Sequence, residues 1–164
     1  MTRSNMKEFE NIIEEYTSHP KVKELKKYKH HGITRYDHSF NVAYYTYIIT
    51  KKLNLNYKSA TKAAMLHDFF LDEVENENGV KRLQDHPKYA VINAKKYFEL
   101  NELEEDIIRN HMFPVTFTPP KHKESWIVDM VDDIVSIKER GMGATRSLKR
   151  AFNAVVLLII TLIK

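Results

Sequence analysis

Apolar residues recur along this chain at three- and four-residue spacings, and that period divides it into a series of predicted helices. Behind Ser4 and Asn5, which can cap, Met6, Phe9, Ile12, Ile13 and Tyr16 form one face of a first helix that His19-Pro20 stops. Val22, Leu25 and Tyr28 predict a short second helix with Gly32 as its terminator, and Ile33 to Tyr36 reads as a loop. From Asp37 to about Leu53 nearly every face is apolar, as expected of a helix enclosed by others. The next helix is expected from about Lys58 to Phe70. Leu71 to Gln84 is acidic, contains the turn signal Asn76-Glu77-Asn78-Gly79, and reads as a mobile surface loop. Asp85-His86-Pro87 then looks like a helix start, followed by Ala90, Val91, Ala94, Tyr97 and Phe98 on one face.

Asn101 is placed to cap a helix in which Leu103, Ile107, Ile108 and His111 share a stripe, so His111 is expected to point inward. Val115 to Lys123, with Pro119-Pro120, is a predicted loop. Trp126, Ile127, Met130, Val131, Ile134 and Val135 define another helix, broken by Gly141 and Gly143. Residues 144–164 are predicted to form a last helix whose end, Ala151 to Ile163, is strongly apolar. That run falls short of the roughly 18 residues needed to cross a bilayer, and Asn153 interrupts it, so it is expected to pack on its own bundle.

These elements predict an all-α protein, with residues 1–164 as a single domain. Composition adds exclusions. There is no cysteine, so disulfides and thiolate metal sites are ruled out, and any metal must be held by histidine and carboxylate. The excess of Lys and Arg over Asp and Glu is mild and spread along the chain, which argues against a nucleic-acid partner and suits attraction of small anions. No signal-peptide pattern opens the sequence, and a reducing cytoplasm is the expected location. The oligomeric state is open.

The chemistry is concentrated in an unusual placement. His67-Asp68 lies in the otherwise apolar run Ala63-Ala64-Met65-Leu66-His67-Asp68-Phe69-Phe70, where an ionised carboxylate is costly unless it is paired or bound to a metal. His38 precedes this pair, and His86, His111 and Asp132 follow it, each in or beside an apolar segment and each on a different predicted helix. Neutral imidazole and carboxylate held on converging helices suit Fe, Mn, Zn or Ni. Asp132 is favoured over its neighbours because it sits at the edge of the apolar face between Val128 and Val135, whereas Asp129 is expected on the polar side. Arg35, with His30 and His31, lies just before the first of these residues, where a guanidinium could hold a phosphate in bidentate fashion.

The ordered set resembles the site of the HD superfamily of metal-dependent phosphohydrolases, and the resemblance runs from roughly Val22 to Glu139. It implies an HD-type helical bundle with a metal site between helices, with His38, His67, Asp68 and Asp132 similar to the family's four-ligand site. His86 and His111 resemble the extra histidines of its two-metal branches, in which the aspartate of the pair, here Asp68, bridges both ions. Tyr36-Asp37-His38, Asn110-His111-Met112 and Glu124-Ser125-Trp126 resemble stretches of small bacterial members. Two-metal phosphodiesterases of the family often carry adjacent histidines where this chain has Asn110-His111. Members acting on cyclic dinucleotides carry a Gly-Tyr-Pro signature, and here Phe69-Phe70-Leu71-Asp72 follows the pair, so that substrate is not expected.

The resemblance implies hydrolysis of a phosphate ester or anhydride, of a nucleotide or related small molecule, assisted by two divalent ions. Asp68 would orient the attacking hydroxide and Arg35 would contact the anion. A di-iron oxygenase of the same fold and a non-catalytic nucleotide-binding module are the alternatives.

Overall fold

The computed structural model describes residues 3–30, 32–74 and 77–141. The expected C-terminal helix over 144–164 lies outside them, as do His31 and the side chain of His30. Helices dominate: α1 (Arg3–Ser18), α2 (Pro20–Lys23), α3 (Arg35–Lys52), α4 (Tyr57–Leu66), α5 (Gly79–Tyr97), α6 (Glu102–Asn110) and α7 (Lys123–Arg140). None of these is long and apolar enough to cross a membrane.

Helix α3 is the centre of the fold. It packs against α4 and α7, while α4 also meets α1 and α6, and α5 lies on α6. Being enclosed, α3 buries Val42, Ala43, Tyr47 and Ile49, which accounts for its lack of a polar face. Helix α4 buries Ala60, Ala63 and Ala64, and side chains this small let two helix axes approach closely. That close packing carries the polar end of α4 into the interior. Phe9 anchors α1 by meeting Phe40 and Tyr44 edge to face at ring separations of 5.4 and 5.5 Å, and its burial contributes on the order of 2 kcal/mol.

Several boundaries differ from those the sequence suggests. The second helix is one turn of α-helix followed by a 3-10 turn over Glu24–Lys27, because Tyr28 turns to extended backbone. A two-residue antiparallel pair then forms between Lys29–His30 and Ile33–Thr34, and Gly32 takes the φ of +93° that its connecting turn requires. Helix α3 starts at Arg35, because the Thr34 hydroxyl accepts from the Asp37 N–H and caps it. Helix α4 stops at Leu66 rather than Phe70.

The largest shift concerns α5. Asn78 accepts from the Lys81 N–H, so the helix begins at Gly79 and the last part of the expected loop is helical. Pro87 therefore lies inside the helix, where it forfeits one backbone hydrogen bond. Asn101 does cap α6, in a reciprocal capping box with Glu104.

Candidate metal centre

The residues singled out above arrive from five helices and meet in one buried pocket. His38 is on α3, His67 is the residue after α4, and Asp68 lies in the turn beyond it. His86 is on α5, His111 is the residue after α6, and Asp132 is on α7. All six are buried.

The three histidines away from α3 share one device. His67 and His111 each follow the last turn of a helix, and each donates its Nδ1–H to a carbonyl that the helix end leaves without a partner, Ala64 O and Ile108 O, both at 2.8 Å. His86 donates in the same way to Arg82 O at 2.9 Å. With Nδ1 given to the backbone, Nε2 is the atom each ring offers inward, and the three Nε2 atoms lie 3.3–3.9 Å from carboxylate oxygens of Asp68 or Asp132. Backbone geometry thus sets the tautomer that metal binding requires.

Asp68 divides its two oxygens between two sets of partners. Oδ2 is 3.9 Å from His67 Nε2, while Oδ1 is 3.3 Å from His86 Nε2 and 3.8 Å from His111 Nε2. Asp132 Oδ1 lies 2.8 Å from His38 Nε2 and 3.6 Å from His67 Nε2. Three overlapping trios have ligand atoms within 4.8 Å of one another: His38 with His67 and Asp68, His67 with His111 and Asp132, and Asp68 with His86 and His111.

Two observations test whether a cation fits. His67 Nε2 is fully buried and has no hydrogen-bond partner among the described residues. The Nε2 atoms of His86 and His111 are 2.9 Å apart, although each ring already spends its proton on a backbone carbonyl. With both Nδ1 protons given to the backbone, the two Nε2 atoms can share at most one further proton, and a cation bound beside them would take its place. The donor set, imidazole nitrogen and carboxylate without thiolate, suits a divalent transition metal.

Charge in the pocket is strongly coupled. For His38, burial works against protonation, but hydrogen bonds to Asp132 and Glu139 and the charges of Asp132 and Asp68 outweigh it and raise its pKa to about 10. His111 goes the other way, lowered to about 3 by burial and by the neighbouring His67 and His86. Asp132 is disfavoured by burial, yet His67 and His38 hold it well below the usual carboxylate range.

Glu139 was not anticipated from the sequence. It is buried one face-repeat beyond Asp132 on α7, and its Oε2 is 2.7 Å from His38 Nδ1, while Asn41 donates to Oε1 at 2.9 Å. The carboxylate does for His38 what backbone carbonyls do for the other three rings. A seven-residue step from Asp132 along the same helix face was the signal available.

Asp129 also departs from expectation. It is buried rather than solvated, and burial followed by repulsion from Asp133 and Asp132 raises its pKa to about 7. The reason is tertiary, since the turn after α6 comes against α7 and brings the Phe113 N–H to it. Asn110 donates to Asp106 Oδ1 at 2.8 Å, an oxygen pair that also accepts from Ser125 Oγ and Lys121 N–H. These bonds tie α6, the following loop and α7 together beside His111.

Arg35 is in the first turn of α3, not in a loop, and is buried. One terminal NH donates to Phe70 O at 2.5 Å, and the guanidinium lies 3.6 Å from the Phe70 ring centroid. Its Nε has no hydrogen-bond partner among the described residues. Burial lowers its pKa, opposed by the charge of Asp68, which places the cation within electrostatic reach of the pocket.

The bundle carries between its helices a buried His/Asp cluster that could hold a metal ion. The chain belongs to the HD domain family, whose model matches residues 35–136, from the first residue of α3 to one turn past Asp132. Glu139 falls beyond that stretch. No curated protein and no solved structure matches the chain. HD domains bind divalent metals.

Proposed function

We propose that the protein is a metal-dependent phosphohydrolase that acts on a phosphate ester or anhydride, of a nucleotide or a related small phosphorylated molecule. The observation that carries this reading is the two-sided Asp68, with one oxygen toward His67 and the other toward His86 and His111. Such a carboxylate suits two ions, one held by His38, His67, Asp68 and Asp132 and the other by Asp68, His86 and His111. When bound, divalent ions lower the pKa of water and stabilise charge on phosphoryl oxygens.

The chain's own residues supply the rest. The Nδ1 bonds hold the rings of His67, His86 and His111 with Nε2 turned toward Asp68 and Asp132, so these rings are already oriented for binding. Asp68 orients the attacking water. Arg35, a cation held against Phe70 and sensing Asp68, balances negative charge that the phosphate brings. The aromatic wall formed by Phe70 against His86, with ring centroids 4.9 Å apart, helps exclude bulk water.

The test is turnover of a panel of nucleotides and general phosphoesters by protein loaded with Mn, Fe, Zn or Ni, run with and without oxygen. Release of phosphate that continues anaerobically is expected. Turnover that consumes dioxygen and stops without it would establish the oxygenase alternative, and tight nucleotide binding without any turnover would establish the binding module.

A further inference from the structure

Arg82 lies in the first turn of α5, in a stretch the sequence marks only as an acidic loop. Its carbonyl orients His86, and its guanidinium reaches back to the Phe70 ring, 5.9 Å from the centroid. Arg35 contacts the same ring at 3.6 Å, so two cations share one aromatic side chain that itself rests on His86.

The pair has donors to spare. Among the described residues the Arg82 guanidinium makes no hydrogen bond or ion pair, and Arg35 Nε is buried without a partner. The carboxylates around it make their hydrogen bonds to other donors: Asp72 accepts from the Tyr28 hydroxyl, and Glu73 accepts from the Leu71 N–H and from Asn93, so Asp68 and Glu73 act on Arg35 through their charge alone. Glu77 is paired with Lys81. Arg82 and Arg35 repel each other, and a multiply charged anion bound between them offsets that repulsion while satisfying the open donors.

We propose that Arg82 and Arg35 form, beside Phe70, a subsite for a second phosphate, so that the substrate is a diphosphate-type compound and not a simple phosphomonoester. This rests on the phosphohydrolase reading and deepens it. Asp68 and the histidines take the phosphate that reacts, and Arg82 takes the one that does not. Arg82 then acts as a specificity determinant, placed one helical turn from His86 so that the distance between the two phosphates is fixed by α5 itself.

The experiment uses the full chain loaded with Mn and two non-hydrolysable probes, methylenebisphosphonate and methylphosphonate, titrated by calorimetry, so that binding is read without turnover. Wild type should bind the bisphosphonate about tenfold or more tighter than the monophosphonate, the worth of one charge-assisted contact. Arg82→Gln should lose most of that preference and Arg82→Lys should keep part of it, with circular dichroism checking that each is folded. Equal binding of the two probes by wild type, or a preference unchanged in both variants, would overturn the subsite. Preference lost in Arg82→Gln together with no turnover of any phosphate compound would instead retire the hydrolase reading while the subsite stands. Turnover without any bisphosphonate preference does the reverse.

Discussion

His86 Nε2 and His111 Nε2 face each other across 2.9 Å, each on a ring whose other nitrogen is bound to its own helix backbone. Neither ring can turn away without breaking that backbone bond. The pair is therefore pre-set for a cation, and Asp68 Oδ1 completes its environment.

The proposed two-ion arrangement makes its two positions separable. Metal-saturated wild type should hold two ions per chain, Asp68→Ala should lose both or bind both weakly, and His86→Ala should lose chiefly the second. Elemental analysis of the three saturated proteins checks this. One ion per chain in wild type, unchanged in His86→Ala, would contradict the two-ion site.

Glu139 should matter although it reaches no ligand position itself. Replacing the carboxylate by an amide in Glu139→Gln leaves the volume but weakens the hold on His38 Nδ1–H, and loss of such a supporting group typically lowers metal affinity about 10- to 100-fold. Competition against a chelator of known affinity measures it. An affinity within twofold of wild type would mean that His38 is oriented by packing alone.

Stability of the chelator-treated protein should depend on pH with a definite sign. Folded His38 keeps its proton up to about pH 10, whereas the unfolded chain releases it near pH 6.5. Its contribution is therefore complete below that value and lost as the pH rises toward 10. On the acid side two groups oppose. His111 resists protonation until about pH 3, so stability falls as the unfolded chain gains that proton below pH 6.5. Asp129 takes a proton at about pH 7 in the folded protein, so it adds stability as the pH falls. Asp132, held low, also loses its contribution in acid, so Asp129→Asn should steepen the acid limb between about pH 7 and pH 4. Melting temperature against pH for both proteins reads this out, and a flat alkaline limb would show that His38 is not protonated in the metal-free fold.

Asp106 should be structural. It accepts from Ser125 Oγ at 2.6 Å, Asn110 Nδ2 at 2.8 Å and Lys121 N–H at 3.0 Å, and Asp106→Leu leaves all three donors behind. The expected destabilisation is about 3 kcal/mol by denaturant titration. A loss below about 1 kcal/mol would indicate that water replaces the carboxylate.

The amino-acid sequence by itself determined the helical class and the residues that meet in the pocket. Both are written in local pattern: three- and four-residue apolar spacing for the helices, and His or Asp set inside apolar runs for the site. His67-Asp68 stood out because a carboxylate surrounded by Ala, Met, Leu and Phe needs a counter-charge. Family membership was legible for the same reason, since the order of these residues survives in one dimension.

Other features were decided only in three dimensions. Periodicity does not say where the last turn of α4 stops, and that stop at Leu66 is what lets His67 spend its Nδ1 proton on Ala64 O and aim Nε2 inward. The start of α5 at Gly79 depended on the Asn78 side chain outcompeting the proline signal eight residues on, and it moved Arg82 from an apparent loop to a helix beside Phe70. Burial of Asp129 and of Glu139 depends on which segment packs over α7, a contact between residues far apart in the chain. Local pattern names the residues of the cluster, but only packing fixes which hydrogen bonds orient them and which polar atoms are left without a partner.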